Sequence, residues 1–146
     1  MTSPTVSAVL FDLDGTLIDT APEFIHIGLQ LRAEAGLPPI DAKTIWHSVS
    51  NGAIGMVEAA LEMPADDPAF EQWRQRFLTL YETGLGDLSH PYPGLPELVA
   101  GLDKARIAWG VVTNKLARFA LPLMDKMPFD PAAGAVVTPD HVDQPK

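Results

Sequence analysis

Asp12 and Asp14 stand one residue apart in the string VLFDLDGTLIDT, residues 9–20. The residues before them, Ala8 to Phe11, are all apolar or aromatic, the pattern of a buried parallel strand. Side chains alternate along a strand, so both aspartates are expected on one side, with Leu13 opposite. Ligands of open α/β sheets bind outside the carboxyl ends of the strands, where this pair falls. Gly15 allows a tight turn that aims backbone N–H groups at an anion, and Thr16 follows it. Two carboxylates beside such a cradle are compatible when a divalent cation offsets their repulsion and a phosphoryl group lies between them.

A second site-bearing segment lies a hundred residues on. IAWGVV, residues 107–112, reads as a second buried strand, and it delivers Thr113 and Asn114 to the same sheet edge. A hydroxyl there can donate to a phosphoryl oxygen, and the amides after it open the next helix, a natural anion site. The same Thr-Asn pair also serves as a helix cap.

The elements that must position these residues follow from periodicity. Residues 6–11 form the first strand. Residues 21–85 read as helices only. Phe24, Ile27, Leu31 and Ala35 mark the first, which ends at Gly36, Pro38 and Pro39. Asp41 caps a short second helix with Ile45 and Val49, and a third after Asn51-Gly52 carries Ile54, Val57 and Leu61. Asp67-Pro68 is the expected N-cap and first residue of a fourth, with Phe70, Trp73, Phe77 and Leu80 as its apolar stripe. Leu95 to Ala105 is a helix, Leu116 to Met127 another that Pro122 interrupts or kinks, Ala135 to Val137 a short strand, and the remainder loop. The order β, helical insert, α, β, α, β is that of an α/β fold with a parallel sheet and an insert after its first strand.

Composition narrows the partners. The chain has 146 residues, 47% of them apolar, which is enough for a core, and 10 basic residues against 19 acidic ones. A net charge of −9 disfavours nucleic acid and anionic membrane. There is no cysteine, hence no disulfide framework and no thiol chemistry. The N-terminus has neither a basic n-region nor an apolar span, so a cytoplasmic location is expected.

The string at 9–20 closely resembles the first motif of the haloacid dehalogenase-like phosphohydrolases, and GVVTNK at 110–115 resembles their second, with Thr113 as the phosphate-binding hydroxyl. RAEAGLPPI at 32–40, WGVVTNKLARFALPLM at 109–124 and PDHV at 139–142 extend the resemblance to the phosphoglycolate phosphatase-like branch, above all to phosphatases of N-acetylmuramic acid 6-phosphate. The resemblance implies a Rossmann-like parallel-sheet core, residues 1–18 and 89–146, with a helical cap, residues 19–88. It implies a Mg²⁺-dependent phosphomonoesterase acting on a small phosphorylated metabolite. Asp12 would be the nucleophile and Asp14 the general acid and base, and both would hold the metal, Asp14 through its carbonyl. Gly15, Thr16, Thr113 and Asn114 would bind phosphate.

The family's third-motif lysine would be Lys146, which alone reads as a solvated terminal charge. Ser50, Asn51 and Gly52 resemble the cap segment that selects the substrate, and read equally as a plain interhelical turn. The fourth motif, Gly-Asp-x-x-x-Asp, is not found, so the resemblance implies an incomplete core and an inactive polypeptide. A sugar-phosphate mutase of the same superfamily and an inactive homologue are the alternative readings. Asp14 argues against dehalogenase chemistry, because haloacid dehalogenases lack the second aspartate.

Overall fold

The computed structural model describes residues 5–144, so the expected lysine at Lys146 lies outside the described residues. In chain order the elements are β1 (Ala8–Phe11), β2 (Ile18–Asp19), α1 (Ala21–Glu34), α2 (Ala42–Trp46), α3 (Gly52–Leu61), α4 (Phe70–Thr83), β3 (His90–Pro91), α5 (Leu95–Lys104), β4 (Ala108–Val112), α6 (Ala117–Lys126) and β5 (Val136–Val137). Single 3₁₀ turns cover Val49–Asn51 and Pro139–His141. The chain divides into two compact units, Met1–Asp19 with His90–Lys146, and Thr20–Ser89.

The first unit is built on a three-stranded parallel sheet in the order β1-β4-β5. Ala8 lies beside Ala108 and Phe11 beside Val111, so the carboxyl ends of β1 and β4 fall together. β4 is the buried strand, its Trp109, Gly110 and Val111 shielded by neighbours on either side. β1 has one described neighbour, β4. It lies at the end of the described sheet, and Leu10 is 66% exposed. A run of apolar residues reports affinity for a core; it does not report how many strands flank it.

A two-residue antiparallel pair, β2 with β3, escapes the sequence reading. Ile18 lies opposite Pro91 and Asp19 opposite His90, and the Tyr92 amide donates to the Leu17 carbonyl at 3.2 Å. Strands this short have no period to detect, and Pro91 is tolerated because the ribbon has only one ladder. α6 continues through Pro122 instead of breaking.

The second unit is helical. α1 buries Phe24, Ile27 and Leu31 against Met56, Val57 and Ala60 of α3 and Phe77 and Tyr81 of α4. The Phe24 ring lies 5.5 Å from that of Phe77 and 4.9 Å from that of Tyr81, an aromatic cluster at the α1–α4 contact. Gly28 permits the close α1–α3 approach, since a Cβ there would meet Met56 Cε at 2.9 Å. Buried Glu23 accepts from the Gly86 amide at 2.8 Å and from the Ser89 hydroxyl, so the start of α1 is tied to the end of the unit. Arg32, also buried, donates to the Ala60 carbonyl at 2.8 Å and to the Pro38 carbonyl.

Two boundaries shift from expectation. Asp41 does cap α2, accepting from the Lys43 amide at 2.8 Å, but Val49 falls outside it in a 3₁₀ turn. α4 begins at Phe70 and not at Pro68. Asp67 instead closes the preceding turn, its carboxylate accepting from the Ala69 amide at 2.8 Å.

Candidate active site

β1 stops at Phe11, so Asp12 and Asp14 stand in the turn beyond it, not on the strand itself. Strand alternation therefore does not place them. The turn does. The amides of Thr16, Leu17 and Ile18 all donate to the Leu13 carbonyl, at 3.3, 3.0 and 3.1 Å, and Leu13 and Leu17 are fully buried. Gly15, at φ +73°, reverses the chain, and Asp14 bridges to Ile18. The apolar anchors fix the turn, and the two carboxylates are left partly exposed at the sheet edge.

Each carboxylate has a defined partner. Asp12 Oδ1 accepts from the Leu13 amide at 2.8 Å. Asp14 Oδ1 accepts from Lys115 Nζ at 2.8 Å, an ion pair between residues 101 apart in the chain. The Lys115 side chain is 7% exposed and that of Asp14 37%. Thr113 follows β4 directly and is buried, its amide donating to the Val137 carbonyl at 3.0 Å. Its hydroxyl oxygen accepts from the Lys115 amide at 3.0 Å. A hydroxyl carries one proton and two lone pairs, so this contact leaves the Thr113 proton a role of its own.

Two expected anion cradles are occupied from within the chain. The Gly15 amide donates to the Ile18 carbonyl at 2.9 Å and the Thr16 amide to Leu13, so neither aims at a ligand. The turn needed those donors to close on itself. At the start of α6 the Ala117 amide donates to Asp140 Oδ2 at 2.7 Å, and this contact holds the Asp140 carboxyl below its usual range. The helix N-terminus after Thr113-Asn114 thus has its anion already, supplied by the 3₁₀ turn after β5. Asn114 is exposed.

The structure brings Asp12, Asp14, Thr113 and Lys115 together at the ends of two hydrogen-bonded strands. Lys115 is the member that sequence reasoning passed over. Its signal was present, a lysine two residues beyond Thr113, in the turn after the strand that pairs with the one preceding the aspartates. Ser50, Asn51 and Gly52 belong to the other unit. Ser50 and Asn51 end its 3₁₀ turn, exposed, and Gly52 opens α3 at φ +62°. Asn51 is seated on α3, because a Cβ at Gly55 would fall 2.3 Å from Asn51 Cβ.

Among the described residues no three His, Cys, Asp or Glu side chains converge as a metal-binding group. The donors at this edge are nevertheless hard oxygens. Mg²⁺ characteristically takes one or two carboxylates and completes its shell with waters and substrate phosphate. The Asp12 carboxylate and the Asp14 carbonyl fit that demand in kind.

A parallel α/β sheet with two aspartates beyond one strand, a threonine beyond its neighbour and a helical unit inserted after the first strand defines the class, a Rossmann-like α/β fold with an insert. The chain belongs to the haloacid dehalogenase-like hydrolase family, whose pattern matches residues 9–146. It is 48% identical over 141 residues to the N-acetylmuramic acid 6-phosphate phosphatase of Pseudomonas aeruginosa, a match covering 97% of this chain and 62% of that protein. It is 39% identical over 135 residues to the phosphoglycolate phosphatase of Agrobacterium fabrum, covering 87% of this chain and 56% of that one. The crystal structure of a predicted phosphoglycolate phosphatase from Haemophilus somnus superposes with a TM-score of 0.78 at 22% identity, over 96% of this chain and 65% of that chain. That last likeness establishes the fold. The chain spans less than two thirds of the length of these relatives. No described helix is long and apolar enough to cross a membrane.

Proposed function

We propose that this chain carries the nucleophile-bearing part of a Mg²⁺-dependent phosphomonoesterase for a small phosphorylated metabolite, N-acetylmuramate 6-phosphate or 2-phosphoglycolate. One observation carries the reading. Two carboxylates and a buried hydroxyl follow two hydrogen-bonded parallel strands, at the edge where α/β sheets bind ligands. The choice of substrates rests on the names of the relatives and on the 48% identity.

In this mechanism Asp12 attacks phosphorus, the ester oxygen leaves with a proton from Asp14, and an aspartyl phosphate forms on Asp12. Water then attacks that phosphorus and gives a proton to Asp14, which releases inorganic phosphate and restores both carboxyls. The Thr113 hydroxyl donates to a phosphoryl oxygen throughout. Mg²⁺, held by the Asp12 carboxylate and the Asp14 carbonyl, supplies when bound the positive charge that offsets the crowded anions. The helical unit is the cap, and Ser50 to Gly52 is the part of it that reads the substrate.

The test is phosphate release from both esters with Mg²⁺, using residues 1–146 fused to the portion of the P. aeruginosa relative outside the match. Turnover on the order of 1–10³ s⁻¹ is expected of an ordinary enzyme. Asp12→Asn keeps the shape of the side chain and removes the nucleophile, so turnover is expected to vanish with the fold intact. Activity within about tenfold of the parent would sink Asp12 as nucleophile, since even a general acid or base typically contributes about 10²–10⁴-fold.

A further inference from the structure

We propose that Lys115 is a positioning residue that keeps the Asp14 carboxylate out of the cation's coordination shell, so that Asp14 meets Mg²⁺ through its carbonyl alone. The inference rests on the metal site of the function proposed above. It starts from a question of chemistry. Two carboxylates one residue apart beside a dication could both ligate it, because Mg²⁺ takes one or two carboxylates. A carboxylate committed to the cation is not available to hand a proton to a leaving oxygen. Something must separate the two aspartates.

Lys115 is placed to do so. Its amide donates to the Thr113 hydroxyl oxygen at 3.0 Å, which fixes the turn after β4. From that turn the side chain reaches across to the turn after β1 and sets Nζ 2.8 Å from Asp14 Oδ1. At 7% exposure the lysine side chain is nearly withdrawn from water, whereas the Asp14 side chain at 37% is not. The asymmetry matters. Were Asp14 to swing onto a cation, this ion pair would break and the ammonium, nearly withdrawn from water, would stand beside a dication, and breaking a buried pair is costly. The ammonium and the cation therefore compete for one carboxylate, and the lysine holds Oδ1. Asp12, whose Oδ1 is held by a neutral backbone amide at 2.8 Å, bears no such conflict in that contact.

The experiment is a double-mutant cycle read by Mg²⁺ affinity, which needs no turnover. It uses the whole chain, residues 1–146, with Lys115→Met, Asp14→Asn and the combination, each checked for folding by its melting curve. Lys115→Met is expected to tighten Mg²⁺ binding by about tenfold, as a second carboxylate joins the shell. In the Asp14→Asn background the same change should have little effect. Equal tightening in both backgrounds would mean that Lys115 acts through its charge alone, and no tightening would mean that it does not restrain Asp14; either overturns the proposal. Mg²⁺ binding that survives Asp12→Asn unchanged would overturn the metal site itself, a distinct failure that takes the proposal with it.

A second measurement requires no Lys115 variant. Carboxyl ¹³C resonances of the parent chain are followed while Mg²⁺ is added. The Asp12 carboxyl is expected to move and the Asp14 carboxyl to stay nearly still. Comparable movement of both refutes the assignment.

Discussion

Gly110 offers the sharpest test of how the sheet carries the site. It sits in the middle of β4, buried, one strand away from the aspartates and three residues before Thr113. A Cβ at this position would lie 2.9 Å from the Ala135 carbonyl oxygen and 3.3 Å from Leu10 Cδ2. Leu10 is exposed and its tip can turn away. The carbonyl cannot move freely, because it accepts from the Val111 amide at 2.9 Å, and the Gly134 amide is fastened to the Trp109 carbonyl at 2.9 Å. Gly110→Ala must therefore push the β5 connection off β4. Overpacking costs about 1–3 kcal/mol, and a weakened ladder hydrogen bond adds about 0.5–1.5 kcal/mol. Alanine recovers about 0.5–1 kcal/mol of glycine's entropic cost. The net loss is about 2 kcal/mol, or roughly 4–8 °C in Tm for a chain of this size. Thermal melts read the shift, and hydrogen exchange at the Val111 and Thr113 amides, which bond Ala135 and Val137, should quicken with it. A Tm within about 1 °C of the parent, with unchanged protection of both amides, would refute the packing argument.

Two further outcomes are expected in the helical unit. Asn51→Ala keeps the Cβ that seats on α3 over Gly55 and removes only the amide, so stability should change by less than about 0.5 kcal/mol. In the fusion protein, kcat/KM should fall unequally across phosphate esters and hardly at all for p-nitrophenyl phosphate; a uniform loss would return the segment to a plain turn. The Glu34 carboxyl is held down from 4.5 to about 2, first by the hydrogen bonds from Arg76 and then by that from Gln30. A depressed carboxylate adds stability above its unfolded value and loses it as pH falls, so the contribution should be full above pH 4.5 and fade towards pH 2. The pair is largely exposed, so Glu34→Gln should cost no more than about 1 kcal/mol at neutral pH. The gap between the two melting curves should close in acid; a gap that is constant with pH would show that the ion pair is not its source.

The fold was legible wherever periodicity runs for three turns or a full strand. Phe24, Ile27 and Leu31 mark α1 correctly because a 14-residue helix repeats its pattern often enough to be distinctive. The β2–β3 ribbon was invisible, since two residues have no period and Pro91 argues against any strand. The start of α4 was misplaced because Asp67 is a turn-former in either role; it closes a turn with the Ala69 amide, and the helix waits for Phe70 to be buried. The apolar run marks β1 as a strand, while its place in the sheet depends on a partner strand a hundred residues away.

The site divides along the same line. Asp12, Asp14 and Thr113 could be named because their spacing is local and each follows an apolar run. What their neighbours do could not be read, because donors and acceptors pair through the fold. Gly15 looked like a cradle, yet its amide is spent on Ile18 in closing the turn. The helix after Thr113 looked like an anion site, yet Asp140 from beyond β5 already caps it. Lys115 drew no assignment because its partner is 101 residues distant. A motif thus identifies the groups that can react, and the long-range partners of those groups decide which of them remain available to do so. Asp14 is the case in point. The motif sets it beside Asp12, and only the fold adds that Asp14 meets the Lys115 ammonium carried in after β4, where Asp12 Oδ1 meets a backbone amide.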